Sequence, residues 1–147
     1  MGQNQTPFIL GFYGESNSGK TSLLEKLISQ FAREGYRVAA IKQTDKRISM
    51  DTPGKNTDRY AQAGAELVAF SSKIETIYLA KQKTNIFEII TRIQEMGKFD
   101  YIFIEGADED TIPKIRLGSI CKRANTLLTY DGDYDSLYEK IKLQNIK

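Results

Sequence analysis

The sequence predicts an α/β fold, in which a mostly parallel twisted sheet carries helices on both faces. The run Gly14-Glu15-Ser16-Asn17-Ser18-Gly19-Lys20-Thr21 matches the phosphate-binding pattern G-x-x-x-x-G-K-[S/T] at every fixed position. An apolar run at residues 8–13 precedes it, and apolar residues at helical spacing follow it at Leu23, Leu24, Leu27, Ile28 and Phe31. Strand and helix patterns then alternate along the chain, which is typical of doubly wound sheets. Together these observations predict the P-loop NTPase type of α/β fold.

The remaining elements follow from local patterns. Short apolar runs predict strands at residues 38–41, 67–70, 76–79, 101–104, 115–117 and 126–129. The second and third of these runs are close enough to form an antiparallel hairpin. Helical spacing predicts further helices at residues 56–63, at residues 86–96 with Asn85 as N-cap, and after Asp135 as N-cap. Pro53-Gly54 predicts a type II turn.

The phosphate-binding pattern has a physical basis. Its glycines let the backbone pass close to a ligand, so that the N–H groups of the loop surround a phosphate. Lys20 reaches the β- and γ-phosphate oxygens, the Thr21 hydroxyl is a ligand for Mg²⁺, and the following helix adds its positive dipole end. The sequence therefore predicts a nucleoside triphosphate site whose candidate residues are Gly14, Ser16, Asn17, Ser18, Gly19, Lys20, Thr21 and Ser22.

A carboxylate follows the most apolar strand candidate. Asp100-Tyr101-Ile102-Phe103-Ile104-Glu105-Gly106 has the form of a Walker B segment, in which Glu105 holds Mg²⁺ beside the phosphate loop. Lys42 ends the second strand, and the carboxyl ends of parallel strands share one edge of the sheet, so Lys42 is a candidate phosphate contact. Asp51 lies in the loop that follows, where it completes the Mg²⁺ shell, orients an attacking water, or is a solvated turn residue. The predicted catalytic residues are Lys20, Asp51 and Glu105, and the predicted metal ligands are Thr21, Asp51 and Glu105.

Composition excludes several classes of function. The 147 residues include 21 basic and 19 acidic side chains, and this balance does not predict a nucleic-acid surface. The sequence has no histidine and a single cysteine, Cys121, so a zinc site is not expected. No apolar stretch approaches the ~20 residues of a membrane helix, and residues 1–7 do not resemble a secretory leader. We expect one nucleotide-binding domain over residues 1–147, in the cytoplasm.

The sequence leaves the choice of base and acceptor open. The N/T-K-x-D element of many GTPases is absent, and Asp131 is only a candidate for reading a guanine edge. The same phosphate site, with Lys42 and Lys55 available to an acceptor, is also compatible with a small-molecule kinase or an ATP-dependent ligase. A third possibility is a scaffold that uses the nucleotide to order its dimer.

Several motifs in order resemble one family. The phosphate loop, Lys42, Asp51-Thr52-Pro53-Gly54-Lys55, Ala63-Gly64-Ala65, Ile104-Glu105-Gly106 and Pro113-Lys114-Ile115 are similar to those of the molybdopterin-guanine dinucleotide biosynthesis protein B family. The resemblance covers about Phe8 to Leu117. It departs after Lys42, where the family usually has histidines and this chain has Gln43-Thr44-Asp45-Lys46.

The resemblance implies a function. It implies a GTP-binding homodimer with weak Mg²⁺-dependent GTPase activity, which assists a molybdenum cofactor guanylyltransferase in attaching GMP to molybdopterin. It implies that residues of the phosphate loop hold GTP, and that Thr21, Asp51 and Glu105 surround Mg²⁺.

Overall fold

A computed structural model of the protein describes residues 6–146. The elements along the chain are β1 (Phe8–Gly14), α1 (Lys20–Arg33), β2 (Val38–Lys42), α2 (Asn56–Gln62), β3 (Leu67–Ser71), β4 (Thr76–Ala80), α3 (Ile86–Met96), β5 (Tyr101–Glu105), β6 (Lys114–Leu117), β7 (Thr126–Thr129) and α4 (Tyr134–Lys142). They pack as two compact units. The first unit comprises the described residues up to Thr44 and from Ile86 onward, and the second comprises Asp45–Asn85.

The first unit contains a five-stranded sheet in the order β2-β5-β1-β6-β7. Every pairing in it is parallel, so all five strands end at the same edge. The β1–α1–β2 segment behaves as predicted, since both strands belong to one sheet, with β5 inserted between them. The register places Glu105 beside Phe12 on one side and beside Lys42 on the other. The ends of β1, β2 and β5 therefore lie side by side.

Helices cover both faces of this sheet, and the side chains of β5 contact the helices on each face. Its side chains alternate, so Tyr101 and Phe103 pack with residues of α1 and α4, whereas Ile102 and Ile104 pack with residues of α3. All four are almost fully buried. A strand buried on both faces reads as a continuous apolar run, and this is the pattern that the sequence shows. The predicted α/β fold is confirmed.

The second unit is a helix and a two-stranded sheet. The antiparallel hairpin of β3 and β4 is confirmed, with Val68 opposite Leu79 and Phe70 opposite Ile77. The turn before α2 also has the expected form, because Gly54 has φ +82° and the Lys55 N–H donates to Thr52 O at 3.2 Å. Among the described residues, Val68 is the one apolar side chain of this unit that is buried.

One prediction of a helix start is wrong. The N-cap of α4 is Asp133, whose side chain accepts from the Ser136 N–H at 3.0 Å, and Asp135 lies in the first turn. An aspartate is favoured at both positions, as the cap and beside the positive end of the helix dipole, so the sequence alone did not separate them.

Two further predictions concern the extent of the chain. A single domain over residues 1–147 stays a prediction, because packing into two compact units does not test whether either folds alone. The polar segment 1–7 extends outside the described residues, since the structure describes none of residues 1–5. Within residues 6–146, no helix is long and apolar enough to cross a membrane.

Candidate functional site

The phosphate loop connects β1 to α1 and owes its shape to two glycines. Gly19 has φ +88°, a left-handed conformation that side chains other than glycine rarely adopt, and α1 begins at the next residue. Gly14 is required for a different reason, because a Cβ there would lie 2.3 Å from Leu117 O on the neighbouring strand. The loop is therefore fixed by the sheet at one end and by the helix at the other.

A cavity of about 480 Å³ opens where β1, β2 and β5 end. Every residue that lines it belongs to the predicted site: Ser16, Asn17, Gly19, Lys20, Thr21, Ser22, Lys42 and Glu105. The remaining two predicted loop residues, Gly14 and Ser18, accept hydrogen bonds from the Lys20 ammonium group. The volume lies within the range of small-molecule sites in proteins.

Lys20 is held by its own loop. Its Nζ donates to Gly14 O at 2.9 Å, to Glu15 O at 2.6 Å and to Ser18 Oγ at 3.4 Å. These contacts satisfy the three donors of an ammonium group and leave it at the wall of the cavity. A phosphate in the cavity competes with carbonyl oxygens for these protons, and its negative charge makes the stronger acceptor.

Glu105 also lines the cavity, at the end of β5. Thr21 Oγ1 donates to its two carboxylate oxygens at 3.3 and 3.4 Å, and Lys42 Nζ lies 3.9 Å from Oε1. The Glu105 side chain is 16% exposed, whereas that of Lys42 is 70% exposed. Lys42 is thus accessible to a ligand in the cavity, whereas Glu105 is largely buried.

The glycine after Glu105 allows the backbone after β2 to lie close to the end of β5. Gly106 has φ +83°, and a Cβ there would lie 2.3 Å from the carbonyl oxygen of Gln43. The Gln43 N–H in turn donates to Glu105 O at 2.9 Å. Gly106 therefore accommodates the backbone of the chain that follows β2.

Oxygen ligands for Mg²⁺ are present in the cavity, and they are few. The Thr21 hydroxyl and the Glu105 carboxylate are hard oxygen donors of the kind that Mg²⁺ prefers. Within residues 6–146, no three acidic, histidine or cysteine side chains cluster as a metal site. Mg²⁺ typically binds through one or two protein oxygens together with phosphates and waters, so this donor set fits a cation that arrives with a nucleotide.

Asp51 belongs to the second unit, where its carboxylate already has partners. Oδ1 accepts from Thr57 Oγ1 at 2.8 Å, and Oδ2 lies 3.4 Å from Lys81 Nζ. The Asp51 side chain is 6% exposed. The hydrogen bond from Thr57, together with Lys81, lowers the pKa of Asp51 although its burial opposes this. Asp51 is therefore a charged anchor within its unit, and its assignment to the Mg²⁺ site stays a prediction.

Asp131 follows β7 at the same edge of the sheet, but it does not line the cavity. Its Oδ1 accepts from the Asp133 N–H at 2.9 Å, which closes the turn before α4. A role in reading the base stays a prediction.

Sequence reasoning missed a buried cation. Lys114 is 0% exposed, and its Nζ donates to the carbonyl oxygens of Glu109, Ile112 and Ala124, the last two at 2.8 and 2.9 Å. Burial lowers the pKa of Lys114. The ammonium group ties the loop after β5 to the loop before β7. The sequence offered one signal, the Pro113-Lys114-Ile115 run, which places this lysine at the start of β6.

The comparison that decides the family covers most of the chain. Residues 9–133 match the sequence model described as MobB, molybdopterin guanine dinucleotide synthesis protein B. The chain belongs to the MobB family. The matched range includes the phosphate loop, Lys42 and Glu105, so the cavity described above lies within the part of the chain that defines the family.

Curated relatives carry names that agree with this. The chain is 33% identical over 115 residues to the molybdopterin-guanine dinucleotide biosynthesis adapter protein of Haemophilus influenzae, covering 78% of this chain and 64% of the relative. It is 30% identical over 112 residues to the protein of the same name from Escherichia coli, covering 74% and 64%. The chain therefore spans a little less than two thirds of the length of these MobB relatives.

Solved MobB structures share the fold. The crystal structure of Bacillus subtilis MobB superimposes with a TM-score of 0.76 at 21% identity, covering 97% of this chain and 99% of that one. A MobB homologue from Bacillus stearothermophilus gives a TM-score of 0.67 at 18% identity, covering 93% and 97%. These structures confirm the α/β architecture.

Proposed function

We propose that this chain is a GTP-binding adapter with weak Mg²⁺-dependent GTPase activity, which assists the guanylylation of molybdopterin in molybdenum cofactor biosynthesis. The observation that carries the proposal is the cavity in which Lys20, Thr21 and Glu105 meet at the end of a parallel sheet. Membership of the MobB family directs this general triphosphate site toward molybdenum cofactor chemistry.

Each group in the cavity has a role in the proposal. The loop N–H groups and Lys20 hold the β- and γ-phosphates, while Lys42 adds a second positive charge from the end of β2. Thr21 and Glu105 hold Mg²⁺, which when bound neutralises charge that develops on the phosphates. Asp51 is proposed to complete this shell or to orient a water. In either role, the cation or the water takes the place of its ion pair with Lys81.

Slow hydrolysis follows from the groups that line the cavity. Its cationic lining residues are Lys20 and Lys42, with no arginine among the described residues that line it. The sequence also has no histidine to act as a general base. An arginine finger raises the rate of P-loop enzymes by about 10³–10⁵, so we expect turnover well below that of an assisted GTPase.

The proposed macromolecular partner is a molybdenum cofactor guanylyltransferase. Support comes from the relatives, which are named as adapter proteins of molybdopterin-guanine dinucleotide biosynthesis. The chain spans only part of their length, so the guanylyltransferase is proposed for this chain rather than transferred to it. We further propose a cytoplasmic location, and neither nucleic acid nor a membrane as a partner.

A homodimer is proposed through the hairpin of the second unit. Eight of the eleven large apolar side chains that are exposed among the described residues belong to this unit, including Leu67 and Tyr78. An isolated two-stranded ribbon is marginally stable in water and leaves edges unpaired. The outer face of β3 and β4 carries Leu67, Ala69 and Tyr78 in register, and a second copy of this face is the apolar surface that complements it.

Isothermal titration with Mg-GTP and Mg-ATP, followed by phosphate release, tests the nucleotide part of the proposal. We expect binding of GTP with slow release of phosphate. Failure to bind either nucleotide, or preference for ATP with fast turnover, contradicts it. Stimulation of guanylyl transfer when the chain is added to a guanylyltransferase tests the adapter part.

A small-molecule kinase or an ATP-dependent ligase is the alternative. The exposed Lys42 at the cavity wall favours it, because a second cation is available to an anionic acceptor. Single-turnover transfer from triphosphate labelled at the γ position distinguishes the two. Label recovered only as free phosphate supports the GTPase, and label on a metabolite supports the kinase.

A further inference from the structure

Glu15 places a negative charge in the loop that is proposed to bind polyphosphate. It occupies the first variable position of the phosphate-binding pattern. A carboxylate near this loop opposes the binding of another anion, because like charges repel. The contacts of the Glu15 carboxylate show how this side chain could stabilise the loop.

The carboxylate of Glu15 is bound by the loop that follows β6. The Ser119 N–H donates to Oε1 at 3.2 Å, and Ser119 Oγ donates to the same oxygen at 3.3 Å. Gly118 has φ +77°, and a Cβ there would lie 2.1 Å from Glu15 Oε2. The carboxylate therefore rests directly on a glycine backbone. Its own N–H, and then the amide and hydroxyl of Ser119, lower the pKa of Glu15.

The loop that holds Glu15 is itself braced. Arg116 Nη1 donates to Ile120 O at 2.9 Å, and Arg123 Nη1 donates to Ala107 O at 2.6 Å. The second of these contacts reaches the segment that follows Glu105. Ser119 is consequently a fixed point to which the phosphate loop is attached.

The main chain of Glu15 also accepts a hydrogen bond from Lys20, and this bond is lost if Lys20 binds a phosphate instead. Lys20 Nζ donates to Glu15 O at 2.6 Å and to Gly14 O at 2.9 Å. When Lys20 turns to a phosphate, these carbonyl contacts are lost, whereas the contacts of the Glu15 carboxylate with Ser119 remain. Within the loop, the Ser18 N–H still donates to Glu15 O at 3.2 Å. The Glu15 side chain then ties the loop to the segment that follows β6.

We propose that Glu15 is a positioning residue, which anchors the phosphate loop to Ser119 so that the loop keeps its binding conformation after Lys20 engages the phosphate. This inference rests on the proposed function, because it assumes a triphosphate in the cavity. It assigns a structural role to a side chain whose charge opposes the binding of phosphate.

The proposal predicts that two substitutions of Glu15 differ in their affinity for nucleotide, whereas an effect of charge alone predicts the same change for both. Glu15→Gln removes the charge but keeps an oxygen that accepts from Ser119, so this variant binds Mg-GTP at least as tightly as the unmodified chain. Glu15→Ala removes both the charge and the tether, and two lost hydrogen bonds make its affinity about tenfold weaker than that of Glu15→Gln. If Glu15 acted only through its charge, both variants would bind more tightly.

Two measurements on the full chain decide the question. Isothermal titration with Mg-GTP compares the two variants, with Glu25→Ala on α1 as a control for loss of an exposed charge. Hydrogen exchange of the Ser119 amide in the nucleotide-free protein is faster in Glu15→Ala than in Glu15→Gln if the tether exists. Equal affinities, or equal exchange, overturn the proposal. If the unmodified chain binds no nucleotide, the proposed function fails, and amide exchange still decides whether the tether exists.

Discussion

The Thr21 hydroxyl donates to both carboxylate oxygens of Glu105, at 3.3 and 3.4 Å, across 84 positions of sequence. Thr21 is the second residue of α1, directly after the phosphate loop, and Glu105 is the last residue of β5. Their contact brings together the two oxygen donors that the proposal assigns to Mg²⁺, and the hydroxyl proton holds the carboxylate where the cation is expected.

Glu105→Gln tests this assignment. The amide keeps the shape of the side chain but loses the charge that attracts a divalent cation, so we expect Mg²⁺-dependent phosphate release to fall much more than GTP affinity. Rates at saturating GTP over a range of Mg²⁺ concentrations, together with titration of GTP, separate the two effects. Glu109→Gln, in the loop after β5, is the matched control. A variant that loses affinity but keeps its rate would refute the metal role.

Lys20→Ala tests the phosphate loop itself. The contacts described for the Lys20 ammonium group are with neutral oxygens. Its removal therefore takes away a charge-assisted contact with phosphate and breaks no described ion pair within the protein. We expect triphosphate affinity to fall by at least about 1.5–3 kcal/mol. Titration calorimetry measures the change, and Lys98→Ala, which removes an exposed lysine beyond α3, controls for charge. Unchanged affinity would mean that the nucleotide binds elsewhere.

Much of the site could be predicted because it depends on local patterns. The glycine spacing of the phosphate loop defines its geometry, and the apolar strands that end at Lys42 and Glu105 place these side chains at one edge of a parallel sheet. Neither inference needs knowledge of which strands are neighbours. The insertion of β5 between β1 and β2 was not predicted, but it leaves the shared edge unchanged.

The contacts that could not be predicted join distant positions through polar groups. Glu15 and Ser119 are 104 positions apart, and neither has a periodicity or a spacing that points to the other. The three carbonyl oxygens around Lys114 come from the main chain, which has no sequence signature at all. The predicted N-cap of α4 was wrong for a simpler reason, because Asp133 and Asp135 have the same side chain.

The hairpin predicts an oligomeric state that mutation should change. Tyr78 is 62% exposed on the outer face of β4, opposite Ala69. We expect Tyr78→Glu to convert a dimer to a monomer, because burial of a carboxylate against an apolar face is costly. Sedimentation equilibrium measures the mass, and Phe87→Glu, which alters an exposed aromatic side chain on α3, is the control. A mass that Tyr78→Glu leaves unchanged argues against this interface.

Lys114 predicts a large effect on stability without a direct effect on the cavity. Replacement by Met keeps an unbranched side chain that is one atom shorter, and it leaves three carbonyl oxygens without their donor. We expect the free energy of unfolding to fall by about 2–4 kcal/mol. Urea denaturation measures this loss, with Lys98→Met as an exposed control. If Lys114→Met were as stable as the unmodified chain, the carbonyl oxygens would have to find other donors.

Tyr101 predicts how stability depends on alkaline pH. The side chain is 3% exposed between the sheet and α1, and burial raises its pKa to about 12 from the ordinary value of 10.0. Between these values the unfolded chain has released the phenolic proton and the folded chain has not, so the folded state binds more protons and stability falls as pH rises. Two pH units correspond to about 2–3 kcal/mol.

Tyr101→Phe has no proton to release, so its stability should decline less steeply above pH 10. The difference in slope is about 1.4 kcal/mol per pH unit at most, since one proton is involved. Urea denaturation at intervals from pH 9 to 11.5 measures both slopes, and Tyr60→Phe, at a side chain that is 58% exposed, controls for loss of a hydroxyl group. Parallel slopes for Tyr101→Phe and the unmodified chain would show that another buried tyrosine governs alkaline unfolding. Tyr138 would be the next to test, because burial raises its pKa as well.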